Sequence, residues 1–147
     1  MKLNPNTILL VDDEQDILEF LSYNLHNSGY RVLTATNGLD AIEQAKEHLP
    51  GLIILDVMMP GMDGIETCQI IRETPDIKHS IIAMLSARTE DYTQLAGFDA
   101  GADDYIKKPI RPSVLSSRIK ALLRRLNKPA EHENQAIHLK DFTIDRE

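Results

Sequence analysis

The 147-residue sequence predicts an α/β fold: a five-stranded parallel sheet with helices on both faces. Three observations lead there. Short β-rich runs alternate with stretches whose apolar residues recur at helical spacing. Three of the short runs, Ile8–Val11, Leu52–Leu55 and Ile81–Leu85, are continuously apolar, as strands covered on both faces must be. Turn and cap residues fall at the joints.

The elements follow in order. The first strand is read over Thr7–Asp12. Ile17, Leu18, Leu21 and Leu25 then trace a helix face that Ser28-Gly29 can close. Tyr30–Thr36 is the second strand, and Ala41, Ile42, Ala45 and Leu49 mark the second helix. The third strand, Leu52–Asp56, runs into the turn signals Pro60-Gly61 and Asp63-Gly64, after which Ile65, Cys68 and Ile71 give a third helix. Ser80–Ser86 is the fourth strand, with Leu95 and Phe98 on a short helix behind it. Gly101 precedes the fifth strand, Asp103–Lys107, and Leu115, Ile119, Leu122 and Leu126 form the final stripe. Right-handed crossovers bring all strand carboxyl ends to one edge. Open parallel sheets bind ligands at that edge, where the winding direction reverses.

These five βα units occupy residues 1–126. Residues 127–135 are polar, include Pro129 and read as a linker. In 136–147, Ile137, Leu139, Phe142 and Ile144 sit among polar residues, too few to bury a core. They read as the start of a second unit.

Composition narrows the function classes. Hydrophobic residues make up 42% and charged residues 27%, ordinary globular usage. The net charge of −7 argues against a protein that coats nucleic acid, which must neutralise phosphates. Cys68 alone can form neither an internal disulfide nor a cysteine metal site, and reads as a packing residue. The apolar runs are far shorter than the roughly 20 residues that span a bilayer. The start of the chain shows no hydrophobic signal region, so no membrane partner and a cytoplasmic location are expected.

The strand ends carry the chemistry. The first apolar run ends in Asp12-Asp13-Glu14 and the third in Asp56. Singly, each acid reads as a helix cap or turn residue. Together, on neighbouring strands, they crowd like charge that costs roughly 4 kcal/mol per pair at about 4 Å and an effective dielectric near 20. A cation offsets that cost, and an all-oxygen donor set favours Mg²⁺ or Mn²⁺ over Zn²⁺. The fourth strand ends at the hydroxyl of Ser86, and the fifth leads to Lys108-Pro109. Acid, acid, hydroxyl and amine at one edge suit phosphoryl transfer. A carboxylate is the nucleophile, a divalent ion offsets charge, and hydroxyl and ammonium hold the equatorial oxygens.

From Thr7 to Arg125 the chain resembles the receiver domain of two-component response regulators, in the branch with a winged-helix DNA-binding output (OmpR/PhoB-like). The matching text is Leu9-Leu10-Val11-Asp12-Asp13-Glu14, Leu55-Asp56-Val57-Met58-Met59-Pro60-Gly61-Met62-Asp63-Gly64, Leu85-Ser86-Ala87-Arg88 and Gly101-Ala102-Asp103-Asp104-Tyr105-Ile106-Lys107-Lys108-Pro109. The resemblance implies a flavodoxin-like (βα)5 receiver fold with strand order 2-1-3-4-5. It implies Asp56 as the acceptor of a phosphoryl group from a sensor histidine kinase. Mg²⁺ (or Mn²⁺) would be held by Asp13, Asp56 and the Met58 backbone carbonyl, with Asp12 acting through water. Lys108, the Ser86 hydroxyl and the Ala87 backbone N–H would hold phosphoryl oxygens, and Tyr105 would be the switch aromatic. Lys108–Pro109 is a candidate cis peptide, since only X–Pro bonds adopt it at modest cost. Met58 and Arg88 would flank the path of hydrolytic water and slow dephosphorylation.

The resemblance further implies a homodimer through the fourth helix, fifth strand and fifth helix. Asp104 with Arg118 and Asp103 with Arg124 are the expected cross-dimer ion pairs. Gln94 and Val114 stand where the family often has a basic residue and a glutamate, so an apolar contact is expected to replace that pair. The Phe142-Thr143-Ile144-Asp145 tail resembles the opening strand of a winged-helix domain, so DNA would be bound only through residues this chain lacks. The competing output is a stand-alone receiver. A haloacid-dehalogenase-type phosphatase needs a second Asp two residues after its nucleophile, and position 58 is Met. A flavodoxin-like nucleotide binder needs a phosphate-cradling loop after the first strand, where Asp12-Asp13-Glu14 repels phosphate. The family match therefore implies a switch that promotes only its own phosphorylation and dephosphorylation, not an enzyme acting on other substrates.

Overall fold

The computed structural model describes residues 2–87 and 91–127, with side chains at 91–94 and 127 outside that description. Arg88 and Glu90, the side chains of Asp91 and Gln94, the linker 128–135 and the second unit 136–147 lie outside the described residues.

Strands and helices alternate strictly: β1 (Asn4–Val11), α1 (Gln15–Asn27), β2 (Arg31–Ala35), α2 (Gly38–His48), β3 (Pro50–Asp56), α3 (Gly64–Arg72), β4 (Ile81–Ser86), α4 (Asp91–Asp99), β5 (Asp104–Lys107) and α5 (Pro112–Asn127). The sheet order is β2-β1-β3-β4-β5, every pair parallel, as the family resemblance implied. The winding reverses between β1 and β3. Their register pairs Val11 with Leu55, so Asp12 and Asp56 stand as the next residues on neighbouring strands.

Strand alternation divides the core into two layers. On one face Leu9, Val11, Ile53, Leu55, Ile82 and Met84 pack with Ala41, Ile42 and Ala45 of α2 and Cys68 and Ile71 of α3. On the other face Ile8, Leu10, Leu52, Ile54, Ala83 and Leu85 meet Leu18, Leu21 and Leu25 of α1 and Leu115, Ile119 and Leu122 of α5. β3 and β4 are buried along their whole length, and β2 at the edge is half-exposed. Cys68 is fully buried and packs as expected; burial pushes its thiol up to about 11. Among the described residues no helix is long and apolar enough to cross a membrane.

Element ends differ from the sequence reading for local reasons. β1 starts at Asn4, three residues early, because the Asn4 amide bonds to Leu49 O (2.8 Å) and its side chain to His48 O (2.8 Å). Those exposed polar residues carry no apolar signal. Leu49 is not on the α2 stripe: it caps the helix in the left-handed region (φ 50°), and Pro50 opens β3, a place where proline's missing N–H is harmless. The joints at Ser28-Gly29 (Gly29 φ 99°) and Asp63-Gly64 behave as read, with Asp63 capping Glu66 N at 2.9 Å.

Gly64 links the framework to the site. A Cβ there would run into the backbone carbonyl of Asp56, and Gly64 N already donates to Val57 O at 3.0 Å. Gly64→Ala is expected to destabilise the fold by about 1–3 kcal/mol, the usual cost of overpacking, read as a lower midpoint in chemical denaturation. An unchanged midpoint would mean α3 does not press on the Asp56 backbone.

Candidate functional site

β1, β3 and β5 deliver the charged groups to one crevice at the carboxyl edge of the sheet. Asp12 and Asp56 are 1% and 3% exposed, and Asp13 is exposed at the rim. One carboxylate oxygen from each of the three lies within 4.8 Å of the others. Asp12 is held from behind: its Oδ1 accepts the Glu14 N–H at 2.9 Å. This local turn replaces the helix cap that Asp12 or Asp13 alone would suggest; α1 has Glu14 at its cap position with no side-chain cap bond.

Lys108 brings the counter-charge. Its Nζ is 2.9 Å from Asp12 Oδ2, 3.4 Å from Asp56 Oδ1 and 3.5 Å from Glu14 Oε1. The contact with buried Asp12 Oδ2 is the shortest of the three. Three carboxylate oxygens within 4.8 Å of one another, two of the acids buried, form an all-oxygen donor set that fits a hard divalent cation. The Lys108–Pro109 bond is cis, as read, and Lys107 is exposed on the other side of the strand. Burial opposes the Lys108 charge, but the contact with Asp12 and the charges of Asp56, Asp12 and Glu14 outweigh it, and its pKa is raised. Asp56 is pushed up to about 6, first by burial and then by the Asp12 charge; Lys108 and the Met58 amide pull it partly back.

Ser86 ends β4 fully buried, its carbonyl accepting Lys108 N–H at 2.8 Å, and Ala87 follows exposed. Met58, 52% exposed, leaves position 58 without the acid that an aspartyl phosphatase needs. Tyr105 is buried on the α2–α3 face of the sheet, and Gly97 of α4 lies over its ring, where an added Cβ would be 3.8 Å from Cδ2.

The charged face around β5 is organised within the chain. Arg118 grips both Asp104 oxygens at 2.9 and 3.0 Å. Asp103 is held within the chain by other partners. Its Oδ2 is bonded to Arg72 at 2.9 Å and to Ile82 N at 2.9 Å, and its Oδ1 lies 3.6 Å from Arg125. Arg125 stands seven residues, two turns, beyond Arg118 and shares its face, whereas Arg124 is rotated away. Arg72 was missed altogether. It also bonds Gly101 O (2.8 Å), Lys78 O (2.7 Å) and Ser80 O (2.6 Å), a role that only spatial proximity reveals. Glu14 was read as part of the acidic run but not as a partner of Lys108.

The fold and this crevice define a phosphoryl-handling signalling module of the receiver type. The model of the response regulator receiver domain matches residues 8–120, and the chain belongs to that family. It is 46% identical over 118 residues to the alkaline phosphatase synthesis transcriptional regulatory protein PhoP of Bacillus subtilis (80% of this chain, 48% of that protein). It is 41% identical over 140 residues to the phosphate regulon transcriptional regulatory protein PhoB of Rhizobium meliloti (95% and 61%). Among solved structures, the BeF3-activated N-terminal receiver domain of Klebsiella pneumoniae RstA superposes with a TM-score of 0.76 at 29% identity, covering 81% of this chain and 99% of that one. The chain thus spans about half to three-fifths of the curated relatives it matches. It is a receiver of the PhoB/OmpR-type response regulators, and its class of function is phosphorylation-activated signalling.

The raised Asp56 pKa has a stability consequence. As pH rises past about 4, the unfolded chain ionises Asp56 while the folded chain resists, so folding stability falls until about 6 and then stays level. In chelated protein, Asp56→Asn is therefore expected to be more stable than the parent at pH 7, by at most about 3 kcal/mol. The two should converge below about pH 4. Equal thermal midpoints at pH 7 would contradict a cost, from burial and the Asp12 charge, of ionising Asp56.

Proposed function

We propose that Asp56 accepts the phosphoryl group and that a sensor histidine kinase supplies it. The observation that carries this reading is the convergence of Asp12, Asp13 and Asp56 in one crevice, with the Lys108 ammonium on Asp12 and Asp56. An Asp56 carboxylate oxygen attacks phosphorus, the P–N bond of a phosphohistidine breaks, and the departing imidazole takes a proton. Lys108, the Ser86 hydroxyl and the Ala87 N–H are the groups assigned to the new phosphoryl oxygens. Mg²⁺ (or Mn²⁺) fits the donor set: Asp13, Asp56 and the Met58 backbone carbonyl would hold it, with Asp12 through water. That ion supplies charge neutralisation for an anion arriving among carboxylates. The remaining work is positioning, which suits a switch that modifies only itself. Met58 and Arg88 flank the route of water to the acyl phosphate in this reading.

The test is metal-dependent labelling with acetyl phosphate. Parent protein should take one phosphoryl group per chain, Asp56→Asn none, and Asp13→Asn should label at least about ten-fold more slowly, as loss of a metal ligand does. Unchanged labelling of Asp56→Asn sinks the assignment.

The signal would then leave through α4, β5 and α5. The phosphoryl group adds about −1.5 to −2 charge and three acceptors. Ser86 and Tyr105 are the expected movers, and homodimerisation through this face the expected output. Asp104 and Arg118 would exchange their pairing within the chain for pairing across the dimer. Asp103 would leave its contacts within the chain for Arg124 of the second copy. Exposed Val114 (43%) and Leu95 (61%) favour an apolar contribution where the family often has an ion pair. DNA binding belongs to the longer protein of which residues 136–147 would be the start. A stand-alone receiver is the second output reading. Solution mass with and without beryllofluoride and Mg²⁺ tests the dimer: the mass should double on addition, and a monomer under both conditions at high concentration refutes it.

A further inference from the structure

Lys108 serves a third carboxylate that the acceptor chemistry does not use. Glu14 Oε1 lies 3.5 Å from its Nζ, against 2.9 Å for Asp12 and 3.4 Å for Asp56. The two aspartates are buried in the crevice, whereas the Glu14 side chain is 63% exposed at its mouth. Its backbone N–H is fixed to Asp12 Oδ1 at 2.9 Å, which anchors the side chain beside the crevice. Its carboxylate makes no cap bond to α1. The helix start therefore does not account for where the carboxylate lies.

A phosphoryl group on Asp56 brings anionic oxygens that need the ammonium. The cation that fits the site offsets the three aspartates. Glu14 stands outside that set of ligands, so its charge remains a competitor for Lys108.

We propose that Glu14 is a positioning residue that competes with the incoming phosphoryl group for Lys108 and thereby restrains modification by small anionic phosphodonors. This rests on Asp56 being the acceptor. Removing the Glu14 charge frees the ammonium for the phosphoryl oxygens. Because Glu14 is exposed, its effect is that of one solvent-screened charge interaction, about two- to five-fold, and it weakens as salt rises.

The probe is beryllofluoride with Mg²⁺, read as a dissociation constant, beside the initial rate of acetyl phosphate labelling. Glu14→Gln should bind beryllofluoride about two- to five-fold more tightly and label faster by a similar factor. Both gains should shrink between low and high ionic strength. Glu14→Asp keeps the charge but withdraws it by one methylene, and should recover part of the gain. Glu19→Gln makes the same net-charge change on an exposed position of α1 and should match the parent. In a Lys108→Met background, Glu14→Gln should add nothing. The proposal is overturned if Glu14→Gln binds no more tightly than the parent, or if Glu14→Asp matches the parent. It is equally overturned if Glu19→Gln reproduces the gain or the gain survives without Lys108. Asp56→Asn run alongside separates the two ideas: if it still labels, the acceptor assignment fails whatever Glu14 does.

Discussion

Like charges held together at the carboxyl ends of β1 and β3 are the constraint around which this chain is arranged. Parallel pairing of Val11 with Leu55 leaves the following residues, Asp12 and Asp56, no room to separate. Both are buried, so water cannot screen them. Burial first, and the neighbouring Asp12 charge second, raise the pKa of Asp56. Lys108 offsets this only partly, because one ammonium faces three carboxylates. A crevice that remains electronegative while holding an ammonium can accept a hard cation and then an anion.

The framework withstands this cost because the sheet beneath it is apolar on both faces. The last five residues of β1 and all of β3 and β4 are buried, so moving the carboxylates apart would disrupt two packed layers. Gly64 makes the same point locally, since α3 presses directly on the Asp56 backbone. At the opposite edge of the sheet, Arg72 ties the end of α3 to the α3–β4 loop, to Gly101 and to Asp103 on the approach to β5. At the carboxyl edge, Lys108 N donates to Ser86 O, and the Lys108 ammonium lies 3.4 Å from Asp56.

Much of this was legible in the chain itself. Continuous apolar runs marked β1, β3 and β4, and helical periodicity marked α1 and α5, because burial imposes those patterns directly. The acids at the strand ends were legible because charge so close to apolar runs is expensive without a purpose. Position 108 followed from the family resemblance, whose motif includes Lys108-Pro109. Other features carried no such signal. Asn4-Pro5-Asn6 joins β1 through backbone bonds that any residue makes. Leu49 looked like one more residue of a helix stripe, yet it turns the chain into the left-handed region. Arg72 and Arg125 find Asp103 through three-dimensional proximity. Glu14 was visible only as a member of an acidic run, because reaching Lys108 spans 94 residues of sequence.

The measurement that bears most directly on the central claim is paramagnetic broadening of backbone amides by Mn²⁺. A single cation bound by both strand ends should broaden Asp13, Asp56 and Met58 together at substoichiometric metal, leave the Arg72–Asp103 edge sharp, and be reversed by excess Mg²⁺. Broadening centred on one strand end alone, or spread over the acidic surface, would contradict a shared site.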